Sequence, residues 1–291
     1  MVSETNPVEL PLDVRVKMTH AMIAVLAREN DVDVLHIKGH AAPDDFYREG
    51  RSSSDADVLV RPAQADAFVR LLNGHGWKTV TSFQTGSIFR HAAALWHQTW
   101  GYVDVHRSFP GFTLPDETAF AELWSDHNTK VIANQPCNVP ARLDHALIIL
   151  VHASRDPSRG RTDADFVIDA LDQETSNVEL RASKFGAETP YAIAVAEHQG
   201  IAAVQGNPDF RLWSALANGD DRLELLRGRL EAADGMWSKT KVIFGSLMVN
   251  RDHLEMKLER SVRLPDYLTE VRSRVIETVR SLARRKPGQR P

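Results

Sequence analysis

Segments with strand and helix periodicity alternate along this chain only as far as residue 133; beyond that point nearly every patterned stretch is helical. Any sheet must therefore be built from the first half. Asp13 to Asn30 places Val14, Met18, Met22, Val25 and Leu26 at helical spacing, and Val32 to Ile37 follows as a short strand. A polar loop containing Pro43 separates Lys38-Gly39 from Asp55 to Val60, a strand-like run. Pro62 opens a helix with Phe68, Leu71 and Leu72 on one face, and Gly74 is placed to stop it. Trp77 to Phe83, Ser87 to Trp96 and Gly101 to His106 read as extended, Asp116 to Trp124 as helix, and Thr129 to Ala133 as a last strand before Pro136 and Pro140. Helices are then predicted over 142–153, 162–173, 190–198, 222–233 and 267–283. The expected architecture is α+β, a mixed sheet flanked by helices and followed by a mostly helical C-terminal domain. The boundary falls near residues 135–141, giving domains 1–138 and 139–291.

Several function classes are disfavoured at once. The longest clean apolar run, Ala146 to Val151, is far short of the roughly 20 residues of a membrane span. Net charge is −4 in 291 residues, which does not indicate non-specific coating of nucleic acid, although a local basic site remains open. The one basic cluster, Arg280, Arg284, Arg285, Lys286 and Arg290, suits the end of a last helix. A single cysteine, Cys137, allows no internal disulfide, and no leader pattern opens the chain, so a cytoplasmic protein is expected.

Three D-x-D pairs occur, and context separates them. Asp163 and Asp165 fall in the first turn of a helix, where negative charge complements the dipole. Asp31 and Asp33 lie in a helix-to-strand turn. Asp55 and Asp57 differ, because they lead into Val58-Leu59-Val60 after Gly50-Arg51-Ser52-Ser53-Ser54. Residues two apart on a strand share a face, so both carboxylates point the same way and repel unless a cation or proton intervenes. A third acid is offered by "GYVDVHRSF", where Val103 and Val105 alternate with Asp104 and His106. Three carboxylates holding two divalent ions suit in-line phosphoryl or nucleotidyl transfer: one ion steadies the triphosphate, the other activates the attacking hydroxyl.

These pieces, "HIKGHAA", "GRSSSDADVLV" and "YVDVHRSF", resemble the DNA polymerase beta-like nucleotidyltransferase superfamily, and in particular an uncharacterised bacterial nucleotidyltransferase family. The likeness covers roughly residues 14–135, with a weaker echo in "LDHALIILVHASRD". It implies that Asp55, Asp57 and Asp104 hold Mg²⁺ or Mn²⁺, with Asp104 as third ligand or as the base for the acceptor's proton. It also implies an NTP substrate bound through Lys38, Gly39, Arg51, Ser52, Ser53, Ser54 and His106. Lys38-Gly39 stands where the superfamily has a Gly-Ser pair, so a catalytically lapsed binding module is the alternative. His106, two residues beyond Asp104, suits a partner that orients the carboxylate or contacts substrate. His145 and His152 share a side of one helix, and packing against the N-terminal domain is the expected role. The acceptor is open: a small molecule is expected, with a protein or tRNA as alternatives.

Overall fold

Leu12–Glu29 is helical (α1), as the spacing predicts, but only the C-terminal part of the apolar stripe, Leu26 and Met22, meets the core. Val16, Thr19, His20, Ile23, Leu26 and Ala27 are buried, whereas Val14 and Met18 are exposed. The polar members of that face are satisfied: the Thr19 hydroxyl lies 2.6 Å from the Trp100 carbonyl, which accepts from it, and His20 meets His36. The computed structural model describes residues 10–84, 89–220, 222–233, 235–237, 239, 240, 242, 265, 266, 269 and 272. All but residues 269 and 272 of the helix expected over 267–283, the basic cluster from Arg280 to Arg290 and part of the extended segment at 87–96 lie outside the described residues.

After α1 come β1 (Val34–Ile37), β2 (Asp55–Val60), α2 (Pro62–Gly74), β3 (Lys78–Thr81), β4 (Ala92–His97), β5 (Gly101–His106) and α3 (Asp116–Ser125). Two short 3-10 turns, Gly39–Ala41 and Asp44–Phe46, fill the loop between β1 and β2. The five strands form one sheet in the order β1-β2-β5-β4-β3. Pairing is antiparallel except between β2 and β5, which run parallel. That parallel pair needs a long crossover, and α2, β3 and β4 supply it. The α+β expectation is met.

Pro62 starts α2 with its ring-fixed φ, as expected. The stop differs: Gly74 is the last helical residue, and it is Gly76, at φ +94°, that turns the chain so that the Trp77 N–H reaches the Leu72 carbonyl. Phe68 and Leu72 of α2, Ile23 and Leu26 of α1 and Val58, Val103 and Val105 of the sheet close one core. Full burial of each such side chain stabilises by about 1.5–3 kcal/mol. A second small sheet pairs β6 (Asn128–Ile132) with β7 (Gln135–Val139). The sequence reading missed β7 because Pro136 argues against a strand; here it pairs with Val131 on a two-stranded edge, where the missing N–H is tolerated.

The chain divides into two compact units, Met1–Ile148 and Ile149–Pro291, and the division falls within α4 (Arg142–Ala153). Every regular element among the described residues of the second unit is a helix, the α-helices being α5 (Gly160–Leu171), α6 (Thr175–Phe185), α7 (Glu188–Ala194), α8 (Ala196–Gln199), α9 (Phe210–Asn218) and α10 (Arg222–Glu231). Among the described residues, no helix is long and apolar enough to cross a membrane.

α9 and α10 approach so closely that a Cβ added at Gly228 would lie 2.5 Å from the Leu212 Cα and 2.6 Å from its nitrogen. Backbone atoms cannot yield as side-chain tips do. Gly228→Ala is therefore expected to destabilise the helical unit by about 1–3 kcal/mol despite the better helix propensity of alanine. Urea unfolding checks this; a variant as stable as the parent would show that the two helices separate freely.

Candidate active site

Three adjacent strands carry the chemistry. β1 pairs with β2 so that Ile37 lies opposite Asp57, and β2 pairs with β5 so that Asp57 lies beside Asp104. Paired residues face the same side of a sheet and residues two apart return to it, so Asp57, Asp104 and His106 project together. One potential ligand atom from each lies within 4.8 Å of the others, a group able to hold a metal ion. Val103 and Val105 point the opposite way into the core, and that apolar anchoring fixes the strand on which Asp104 and His106 ride.

Asp57 is buried and doubly engaged. The Lys38 Nζ lies 2.6 Å and the His106 Nε2 2.9 Å from the same oxygen, Oδ1. Burial pushes the Asp57 carboxyl up, but the Lys38 ammonium and the His106 hydrogen bond outweigh it and hold the group below the usual carboxylate range. Asp55 shows the opposite balance: burial, then the neighbouring Asp57 charge, raise it, with Lys38, the Ser54 hydroxyl and Arg51 opposing.

The residues singled out in the sequence separate into three places. Asp57, Asp104, His106 and Lys38 meet at the centre. Asp55, paired with Tyr102, stands outside the close trio and accepts a hydrogen bond from Ser54 Oγ at 3.1 Å. Gly39 and Ser53 pack together: at φ +47°, Gly39 leaves so little room that a Cβ there would lie 2.6 Å from Ser53 Oγ. These two residues open a cleft of about 630 Å³, also lined by Lys17, His40, Tyr47, Arg48, Arg51 and Lys130, with Asp44 and Glu49 as its acids. The Arg51 guanidinium lies 3.8 Å from the centre of the Tyr47 ring. Ser52 is exposed and does not line this cleft.

Three buried histidines add to the site, and of these only His145, expected to pack against the N-terminal domain, was singled out in the sequence. His145 accepts a hydrogen bond from the Lys38 backbone N–H at 3.0 Å through Nε2, and burial pushes its pKa down to about 3, so the ring is neutral. His20 and His36 share a proton between Nδ1 atoms 2.9 Å apart in the core behind Asp57. His36 was readable only as a strand residue, and Lys130 only as one lysine among many; no motif marks either. Of the other acid pairs, Asp33 binds Arg61 Nε at 2.7 Å and Asp165 binds His198 at 3.0 Å, and Asp31 turns the chain at φ 52°.

The donor set suits a divalent ion. Two carboxylates converge from adjacent strands, and oxygen donors are those that Mg²⁺ and Mn²⁺ prefer. A basic cleft beginning at Gly39 adjoins them, as anionic phosphates require.

No curated protein matches the chain. Among solved structures, the crystal structure of lincosamide antibiotic adenylyltransferase LnuA with lincomycin bound aligns over 52% of this chain and 94% of that one, at 14% identity and a TM-score of 0.37. The family described as "Uncharacterised nucleotidyltransferase" matches residues 16–197, a span that holds the acid cluster, the Lys38-Gly39 turn and the basic cleft. With that span exceeding half of its length, the chain belongs to this nucleotidyltransferase family.

Proposed function

We propose that the protein is a cytoplasmic, metal-dependent enzyme that moves a nucleoside monophosphate from an NTP to an oxygen acceptor with release of pyrophosphate. The convergence of Asp57, Asp104 and His106 beside a basic cleft carries this reading. The acceptor is a hydroxyl or phosphate, on a small molecule in the first instance. A protein or tRNA acceptor remains the wider version of the same chemistry.

In the transfer the acceptor oxygen forms a bond to the α-phosphorus and the α–β phosphoanhydride bond breaks, so that pyrophosphate leaves and the acceptor loses its proton. Asp57 and Asp104, with Asp55 close by, would hold a divalent ion, which would supply charge neutralisation for the phosphates and acidify the attacking hydroxyl. The Asp104 carboxylate, half-buried beside Asp57 and His106, takes the proton in this reading, as a ligand that doubles as the base. His106 and Lys38 keep the Asp57 carboxylate ionised and in one orientation. Arg51, Ser53 and the Gly39 turn border the cleft assigned to the polyphosphate.

The purified chain with Mg²⁺ or Mn²⁺, offered the four labelled NTPs and a panel of acceptors, is expected to release pyrophosphate. Arg51→Ala is expected to weaken NTP binding about tenfold, the loss of one charge-assisted contact. Isothermal titration with a non-hydrolysable NTP measures that loss, and unchanged affinity for every nucleotide would remove the cleft from the proposal. One observation favours a second reading, a lapsed fold that binds nucleotide without turning it over: the Lys38 ammonium already neutralises Asp57. Nucleotide binding with no pyrophosphate release from any NTP would select it.

A further inference from the structure

Lys38 holds a backbone conformation that its residue type resists. At φ 56° and ψ −176° it sits in a region used almost only by glycine. Such strain persists only where neighbours over-determine it, and here three do. The Lys38 N–H donates to His145 Nε2 at 3.0 Å, its carbonyl accepts from the Ala41 N–H at 3.0 Å, and the preceding residue is locked in register opposite Asp57. The result of this arrangement is one contact, the buried ammonium 2.6 Å from Asp57 Oδ1.

We propose that Lys38 is a resident cation of the centre, supplying at Asp57 the charge that a second metal ion would bring, and that His145 is the positioning residue that keeps it there. The inference rests on the metal-dependent reading above. A positive charge fixed on one of two converging carboxylates repels a divalent ion and occupies part of its coordination sphere. The centre accordingly takes one divalent ion where three carboxylates alone would invite two. His145, buried and neutral, is built for its part, since its unprotonated Nε2 can accept from a backbone amide.

Mn²⁺ binding to the full chain, followed by the electron paramagnetic resonance of the free ion with and without a non-hydrolysable NTP, tests this. The parent is expected to bind one ion per chain. Lys38→Met, which keeps the side-chain volume and removes the charge, is expected to bind Mn²⁺ at least about tenfold more tightly. Its melting temperature should fall without metal and recover with Mn²⁺ by more than the parent's. Lys38→Gln provides the same reading should the methionine variant not fold. His145→Leu should tighten Mn²⁺ binding in the same direction, while His145→Gln, which retains an acceptor for the Lys38 amide, should restore the parent's affinity. Equal Mn²⁺ affinity in the parent and both Lys38 variants, or two ions bound by the parent, overturns the assignment and leaves the metal-dependent reading standing. No Mn²⁺ bound by any of them overturns both.

Discussion

Asp57→Asn is expected to abolish nucleotidyl transfer and to weaken the fold, whereas Asp104→Asn should abolish transfer with little loss of stability. Both changes remove a charge that would hold the divalent ion, and losing several kcal/mol of transition-state stabilisation lowers turnover by about 10³-fold or more. Their structural costs differ because their surroundings differ. Asp104 is half-buried, so water relieves part of the change. Asp57 is the counter-charge of a buried ammonium, and removing one partner of such a pair costs about 3–5 kcal/mol through the uncompensated charge left behind. The double variant Asp57→Asn/Lys38→Met separates the two effects, since deleting the orphaned ammonium should recover much of the stability and none of the activity. Pyrophosphate release and urea unfolding of the parent, Asp57→Asn, Lys38→Met and the double variant complete the cycle, with Asp104→Asn measured beside them. Transfer within a few-fold of the parent in either aspartate variant would end the enzymatic reading of this cluster.

What the sequence reveals and conceals in this site follows from the range of each interaction. The alternation Val103-Asp104-Val105-His106 is a period-2 signal written in consecutive residues, so the common face of Asp104 and His106 was legible. The pairing of Asp57 beside Asp104 required only that two such strands be neighbours. Lys38 on Asp57 was not legible, because it depends on a glycine-like backbone at a lysine and on a histidine more than a hundred residues away. In α1 the apolar stripe marked only part of the buried face, since Thr19 and His20 are buried by partners from β1 and the β4–β5 turn that the helix's own sequence does not announce. β7 was hidden by its proline and by the turn before it, where Ala133 and Asn134 both take positive φ. Asparagine advertises that hairpin geometry and alanine does not.

Acid is expected to unfold the N-terminal unit well above the pH at which its carboxylates titrate. Five histidines lie buried in it, and in three of them, His20, His36 and His145, burial disfavours the proton. Burial holds His20 down to about 4 and His145 down to about 3, and burial together with the His20 charge lowers His36 well below its ordinary value. The geometry gives the reason: the Nδ1···Nδ1 contact of His20 and His36 needs one donor and one acceptor, and His145 must accept from Lys38. In the unfolded chain all three take up protons near pH 6.5. Below that pH the unfolded state therefore binds more protons than the folded one, and stability falls as pH falls, by about 1.4 kcal/mol per pH unit for each histidine. Between pH 7.5 and 5 the three together remove about 6 kcal/mol, comparable with the whole stability of many domains. Asp57 does not offset this, because its lowered pKa adds stability that is fully present above about 4 and is lost only below it. Asp55, raised by burial, works the other way, since the folded state takes its proton first and recovers a little stability at the acid end. Urea unfolding at pH 7.5, 6 and 5, without divalent ions, should show the slope. His145→Gln, which keeps the acceptor and removes one titrating ring, should reduce the loss by about a third. A flat profile, or resonances of these three rings titrating near 6.5 in the folded protein, would mean that water reaches them and that the core behind Asp57 is looser than its hydrogen bonds require.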